Sequence, residues 1–435
     1  MTSRLLAVLL AILTPTAIPT ATFAQDNKLN ILFIMADDVG RDAVGCYGGT
    51  SYETPNIDKL AKSGTRFLHA YSMPVCHPTR TTILTGKYPF QTGNPRWGSF
   101  PKKYENQTLA KILQRAGYST CVVGKWQLSL LSRDVQQPHR MGFDEYCLFG
   151  WHEGGRYWQP HIRQNGKLRT DVKDKYGPDV YCDYLIDFMV RNKKKGQPFF
   201  AYFPMALCHA VTDDLKKPVA YGPGRKEYES FGEMVEKMDG IIGRLMTALD
   251  KHGLRDNTLV IYTTDNGSPA SMIVRAEDGR YIQVPVFSIR NGIRIRGGKG
   301  TLRDAGIRVP FLVSLPGHIP AGKTSDTMVD FSDFIPTFSS IAGAKKIPDT
   351  GGYNFLTGLL KGQKGAKRPW IYAERGKNFC VRGPDWKLYN DGKLFDMKND
   401  PFEKSAIRAN KDTPTSMAAR VRLVKAFAGL GRGEK

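Results

Sequence analysis

Four β-rich apolar runs, each ending in residues that can do chemistry, constrain this chain more than any other feature. They are NILFIMADD (30–38), STCVVGKW (119–126), PFFAYFPMALCH (198–209) and TLVIYTTDNG (258–267). Nearly continuous apolar character marks strands buried on both faces, in the middle of a sheet. Between them lie helical patterns: TPNIDKLAKSG with Thr54 or Asn56 as cap, QTLAKILQRAG ending at Gly117, YLIDFMVRN, and FGEMVEKMDGIIGRLMTALDKHG ending at Gly253. The alternation predicts an α/β domain on a large, mainly parallel sheet flanked by helices. Ligands bind such sheets beyond the carboxyl ends of the strands. The run ends place Asp37, Asp38, Lys125, His209, Asp265 and Asn266 there. Singly, each is an ordinary turn former or cap. Gathered together, three carboxylates repel one another unless a cation balances them. With the amide they form an all-oxygen ligand set suited to a hard divalent ion, Ca²⁺ or Mg²⁺.

The stretch VCHPTRTTILTG (75–86) adds a thiol. Pro78 suits a first helical position and Gly86 with Pro89 supplies a stop, so Cys76 is expected just outside a helix N-terminus. Unpaired N–H groups and the macrodipole favour an anion there, and Arg80 lies one turn along. A small hydrophobe filling a strand-to-helix corner is the alternative reading. After Asn266, Asp278-Gly279 reads as a hairpin turn between MIVRAE and RYIQVPVF. Arg294 and Arg296 share one face of the next extended stretch, either as a solvated basic hairpin or as a clamp for an anionic substrate. Lys299 follows two glycines in GGKGT, which lacks the phosphate-loop spacing.

The chain has 435 residues, 41% of them hydrophobic, enough for one large core and a smaller unit, which excludes a disordered chain. Residues 1–24 carry Arg4, the run LLAVLLAIL and a small-residue end, the form of a secretory signal. That run is too short to span a bilayer and no later one is long enough, so no transmembrane segment is expected. The reading is an exported protein, periplasmic or extracellular. Without Arg4 the formal net charge falls from +22 to +21. Export argues against nucleic acid as the partner of so basic a chain, and a polyanionic substrate such as sulfated polysaccharide fits better. Seven cysteines show no CxxC metal spacing, and the sequence selects no disulfide pairing.

With these parts assembled, the chain resembles the formylglycine-dependent (type I) sulfatases of the alkaline phosphatase superfamily, from about residue 29 to LFDMKNDPFEKSAI near the C-terminus. CHPTR (76–80) fits the family's CxPxR signature; MADD, GKW, TDNG and GGKGT occur in the family's order, and GIRVP follows. The resemblance implies a sulfuric ester hydrolase whose Cys76 is converted to formylglycine by a maturation enzyme. It also implies a divalent cation, usually calcium, on Asp37, Asp38, Asp265, Asn266 and an oxygen of residue 76. One hydroxyl of the hydrated aldehyde attacks sulfur, and the other permits sulfate to leave. Arg80, Lys125 and Lys299 match positions that stabilise the sulfuryl oxygens, and His209 the histidine that protonates or polarises the leaving oxygen.

Two departures stand out. His209 lies in CHAV (208–211) rather than the family's PHxP, and GKWQLS puts Gln127 where GKWHLG would place a histidine. Glutamine orients a hydroxyl but takes no proton near neutral pH, so either another group serves as base, His77 being one candidate, or turnover is slower. The expected substrate is a sulfated carbohydrate or aryl sulfate, met by loops 93–103, 150–178 and 268–296. There Trp97, Trp151 and Trp158 either stack on sugar rings or plug a rim. Residues 25–344 are expected to form the catalytic domain and 345–435 a smaller subdomain of antiparallel strands and a helix. A phosphate or phosphonate ester hydrolase of the same superfamily, and a polyanion-binding protein with weak turnover, are the competing readings.

Overall fold

Successive residues of the first apolar run enter two different cores. Leu32, Ile34 and Ala36 pack into one cluster of buried side chains, and Ile31, Phe33 and Met35 into another. This is the period-two consequence of a strand covered on both faces. The other three runs split the same way: Val123 from Val122, Phe203 from Tyr202, and Tyr262 from Ile261. The computed structural model describes residues 28–210, 221–223, 230–278, 280–345, 347–360 and 366–432. The signal-like segment 1–24 lies outside the described residues.

In chain order the strands are β1 (Asn30–Ala36), β2 (Thr65–Tyr71), β3 (Ser119–Trp126), β4 (Glu145–Gly150), β5 (Ile162–Gln164), β6 (Lys167–Leu168), β7 (Phe199–Pro204), β8 (Thr258–Thr264), β9 (Ser271–Glu277), β10 (Arg280–Pro285), β11 (Phe287–Arg290), β12 (Ile293–Arg296), β13 (Phe311–Ser314), β14 (Lys323–Asp330), β15 (Ile371–Arg375), β16 (Asn378–Arg382), β17 (Trp386–Tyr389) and β18 (Leu394–Asp396). Ten form one sheet in the order β14-β2-β13-β8-β1-β7-β3-β4-β5-β6. Strands β8, β1, β7, β3 and β4 are mutually parallel, whereas β13 and β5 run against their neighbours. The four apolar runs are therefore four adjacent central strands. As expected, β9 and β10 pair antiparallel around residue 278, and β11 and β12 form a second hairpin.

Helix Phe231–Lys251 starts with a capping box in which Ser230 and Glu233 exchange hydrogen bonds. Helix Cys76–Thr85 begins at Cys76 itself, so Pro78 is its third residue rather than its first. No N–H of a first helical turn has a partner within the helix, so proline loses no hydrogen bond at either position. All seven cysteines are free thiols. Strands β15 to β18 form an antiparallel sheet whose Tyr372, Val381 and Leu388 pack on Leu423 and Phe427 of helix Pro414–Gly429. The buried Arg368–Asp333 pair (Nε to Oδ2, 2.8 Å) and the bond from Tyr372 N–H to Asp330 Oδ2 (3.0 Å) fasten this sheet to the main domain. Among the described residues, no helix is long and apolar enough to cross a membrane.

Pairing of β3 with β7 ends at Val122 and Tyr202, and two residues later Gly124 takes φ 113°. A Cβ at Gly124 would lie 2.3 Å from the carbonyl oxygen of Pro204. Only glycine allows this approach, which delivers Lys125 to the strand ends. Gly124→Ala is expected to lower stability by about 2 kcal/mol or more. Gly240→Ala, on an open helical face with nothing within 4 Å of the new methyl, should raise it slightly. Chemical denaturation midpoints measure both.

Candidate active site

The strand ends are stitched together before any side chain is considered. Asp37 N–H donates to Leu207 O (2.7 Å), Asp265 N–H to Ala36 O (3.1 Å), and Gly300 N–H to Pro74 O (2.7 Å). Thr79 Oγ1 donates to Asp265 O at 2.8 Å, fixing helix Cys76–Thr85 to the end of β8. Asp38 takes φ 62°, a left-handed turn that aspartate tolerates better than most residues, and its N–H meets Asp265 Oδ1 at 3.2 Å. Asp37, Asp38, Lys125, His209, Asp265 and Asn266 thus converge, joined by Cys76 and Arg80 from the helix after β2 and by Lys299 from the loop after β12.

Inside this cluster each carboxylate has a cation. Lys125 Nζ lies 2.5 Å from Asp37 Oδ2, Arg80 Nη2 2.7 Å from Asp265 Oδ2, and Lys299 Nζ 2.6 Å from Asp38 Oδ2. Asn266 Nδ2 donates to Asp38 Oδ1 at 2.7 Å. Lys125 Nζ is also 3.8 Å from Cys76 Sγ. The repulsion argument drawn from sequence is therefore met by the protein's own cations. What favours a further ion is the oxygen left over: the buried Asp37 Oδ1 and Asn266 Oδ1 have no hydrogen-bond partner among the described residues. Two triads, Asp37–Cys76–Asp265 and Asp37–Asp38–His209, each bring one ligand atom per residue within 4.8 Å of the others. The carboxylate and amide oxygens of this set fit a hard divalent cation, whereas the Cys76 thiol does not.

Burial sets the protonation tendencies, and neighbours decide their sign. Burial raises the Asp37 carboxyl, but Lys125, Arg80 and Lys299 outweigh it and hold Asp37 below the usual range. Asp38 goes up because burial dominates over Lys299. Asp265 rises to about 7 through burial and the nearby Asp37 charge. Burial also pushes the Cys76 thiol up, more than Lys125 pulls it down.

Residues 29–344 match the family model described as Sulfatase, and residues 298–425 the one described as N-sulphoglucosamine sulphohydrolase, C-terminal. N-acetylgalactosamine-6-sulfatase of Homo sapiens is 30% identical over 380 residues, covering 79% of this chain and 68% of the relative. N-acetylglucosamine-6-O-sulfatase of Bacteroides thetaiotaomicron is 26% identical, covering 88% and 83%. The crystal structure of Ps i-CgsB superposes with a TM-score of 0.73 at 29% identity, covering 93% of this chain and 92% of that one. The chain belongs to the sulfatase family. It is a sulfuric ester hydrolase, and the mainly parallel sheet with its antiparallel C-terminal sheet is the fold of its structural neighbours.

The other residues singled out from the sulfatase's sequence have varied surroundings. Gln127 is buried, and its Oε1 has no hydrogen-bond partner among the described residues. Arg294 and Arg296 stay on the exposed side of β12, Arg294 with Cζ 3.7 Å above the Phe287 ring. They line a cavity of about 610 Å³ with Gly298, Arg303, Phe402 and Lys404, beside the GGKGT loop. Trp97, 54% exposed, stands edge-on to the buried Trp151 at 5.3 Å, so Trp151 fills space while Trp97 faces solvent. Sequence reasoning missed Arg156 and Tyr157, both fully buried against His209. Their loop, WHEGGRYW, gives only an aromatic-rich composition as a signal.

His77 is oriented away from the role considered for it. Its Nε2 sits 2.8 Å from Ser99 O, the bond of a neutral imidazole donating to a carbonyl. Burial, with Arg80 adding to it, lowers its pKa from 6.5 to about 4 against the Ser99 bond. Between these values the unfolded chain binds the extra proton, so stability should fall as pH drops from 6.5 toward 4. His77→Gln, which keeps a donor for Ser99, should remove up to ~3 kcal/mol of that acid loss and leave neutral-pH sulfate release near the wild-type rate. Denaturant unfolding at pH 7 and pH 5, with a turnover assay, checks both.

Proposed function

We propose that this sulfatase is exported and hydrolyses sulfate esters of a sulfated carbohydrate. It would use formylglycine made from Cys76 by a maturation enzyme, and a divalent cation, calcium or magnesium, held by Asp37, Asp38, Asp265, Asn266 and residue 76. The placement of Cys76 Sγ carries the proposal. It is buried at a helix start, within 4.8 Å of ligand oxygens of Asp37 and Asp265. A thiol whose ionisation burial opposes is a poor nucleophile. Oxidation of its carbon to an aldehyde puts oxygen there instead, the donor a hard ion takes. When present, the hydrated aldehyde supplies the attacking hydroxyl and the hydroxyl that permits sulfate release, and the ion supplies Lewis acidity.

The chain's own residues do the rest. Three carboxylates against three cations leave the cluster neutral, so a divalent ion would turn the pocket positive, the sign that attracts a sulfate monoester. Arg80, Lys125 and Lys299 would stabilise the sulfuryl oxygens as charge spreads. His209 serves the leaving oxygen, and Gln127 offers its Oε1 to a hydroxyl of residue 76. Arg375 of the C-terminal unit donates to the carbonyl of Gly300, beside Lys299, which supports the smaller subdomain from residue 345 onward as one wall of the pocket. Arg294 and Arg296 supply cations for sulfates beyond the one cleaved. The complex of Ps i-CgsB with k-i-k-neocarrahexaose and the named amino-sugar sulfatases favour a sugar substrate, and the signal-like residues 1–24 favour a periplasmic or extracellular location.

Mass spectrometry of the tryptic peptide 67–80 from active protein should show the Cys76 thiol replaced by an aldehyde or its hydrate. Cys76→Ala should abolish sulfate release while leaving the unfolding midpoint near wild type. Full activity from protein whose residue 76 is entirely Cys would refute the proposal.

Removal of divalent ions should abolish turnover, and calcium or magnesium should restore it. Calorimetric titration of calcium into ion-free protein should show one site, lost in Asp38→Ala. Unchanged turnover at negligible metal content would overturn the ligand assignment.

A further inference from the structure

The segment bearing His209 lacks the flanking prolines that would stiffen it, yet two consecutive buried residues from the loop after β4 hold it. Tyr157 Oη lies 2.8 Å from both Ala206 O and His209 O, tying down the backbone. Arg156 takes the ring: its Nη1 is 2.9 Å from His209 Nδ1. The Arg156 guanidinium in turn lies over the Phe149 ring of β4, 5.4 Å from its centroid, and only 1% of the residue is exposed.

A guanidinium carries donors and no acceptor, so a nitrogen that meets it must present a lone pair. Nδ1 is then unprotonated and the ring proton sits on Nε2. Ala210 O, 3.1 Å from the same Nδ1, would favour the opposite tautomer. The arginine contact is shorter and charge-assisted, and it prevails. Nε2 is the ring atom that faces the cluster, 4.0 Å from Asp38 Oδ2.

We propose that Arg156 is a positioning residue that fixes His209 as the neutral Nε2–H tautomer, so that His209 assists the departing ester oxygen as a hydrogen-bond donor and not as an imidazolium acid. This rests on the assignment of His209 to the leaving oxygen. As the bond between sulfur and the ester oxygen breaks, its electron pair goes to that oxygen. The Nε2–H bond meets the developing charge, the histidine keeps its proton, and solvent water protonates the released alkoxide.

Leaving-group dependence separates this role from a merely structural one. With 4-nitrophenyl sulfate the departing phenolate carries its own charge, whereas with phenyl sulfate it needs help. Arg156→Met is expected to lower kcat/KM about 10- to 100-fold on phenyl sulfate and only slightly on 4-nitrophenyl sulfate. Arg156→Lys, which keeps a cationic donor, should recover part of the loss. Arg156→Met combined with His209→Ala should be no worse than His209→Ala alone. Equal losses on both esters, or additive losses in the double variant, would overturn the proposal. If His209→Ala itself shows no ester bias, the assignment of His209 falls and this inference with it; bias in His209→Ala but not in Arg156→Met refutes the inference alone. Should the Arg156 variants fail to fold, imidazole ¹⁵N spectra of the wild-type enzyme, with His209 identified by its loss in His209→Ala, decide. Unprotonated Nδ1 with protonated Nε2 is expected, and either the reverse tautomer or a doubly protonated ring would overturn it.

Discussion

Everything at this site depends on placing three carboxylates at the buried ends of two neighbouring strands without leaving a charge unpaired. Asp37 and Asp38 follow β1, Asp265 follows β8, and all three are essentially inaccessible to water. A lone carboxylate in such a place would neutralise or unfold its surroundings. Arg80, Lys125 and Lys299 remove the difficulty by closing ion pairs of 2.5 to 2.7 Å. Those cations come from a helix, a strand and a loop that are far apart in sequence. Loss of any one leaves an uncompensated buried charge, which is far worse than loss of the whole pair. The charge balance thus couples the packing of three separate segments to one pocket.

The sheet order makes that coupling possible. With β8, β1, β7 and β3 adjacent and parallel, their carboxyl ends open on a single line. Asp265, Asp37 and Asp38, His209 and Lys125 are spread along it in that order. The remaining groups arrive across it: Thr79 holds the Cys76 helix to Asp265, and Gly300 holds the Lys299 loop to Pro74, two residues before Cys76. Gly124 belongs to the same construction, because its missing side chain lets β3 pass the Pro204 carbonyl and aim Lys125 inward.

What the sequence revealed of this architecture follows from where its signals are strong. A strand buried on both faces leaves a continuous apolar run, so the four central strands were legible together with the polar residues that end them. Strands β2 (TRFLHAY) and β14 (KTSDTMVD) are only partly buried. Their mixed composition resembles ordinary surface, and neither stood out. Within the site, residue types were readable but directions were not. His77 and Cys76 are neighbours in sequence, yet the helix turns the imidazole to Ser99. Arg294 and Arg296 share a face as expected, and the cavity they line beside the GGKGT loop could not be read from their spacing. Arg156 was invisible because its meaning lies in one contact, 2.9 Å to a ring nitrogen 53 positions away.

Gln127 and His209 invite a common interpretation. An amide cannot take a proton near neutral pH, and an imidazole that accepts from a guanidinium cannot be an imidazolium. The two side chains that would manage proton traffic in the pocket are therefore, on the proposed assignments, both limited to hydrogen bonding. The rate must then come from charge: the cations around the sulfuryl group and the ion on the strand-end oxygens. Such stabilisation is effective where water is excluded and the dipoles are already fixed. The buried Arg156 and Tyr157 braces are of that kind, holding His209 in place before any substrate arrives. A pocket organised in this way suits an ester whose sulfur centre carries a single spread charge, because what it must supply is a preformed electrostatic surface and little proton transfer.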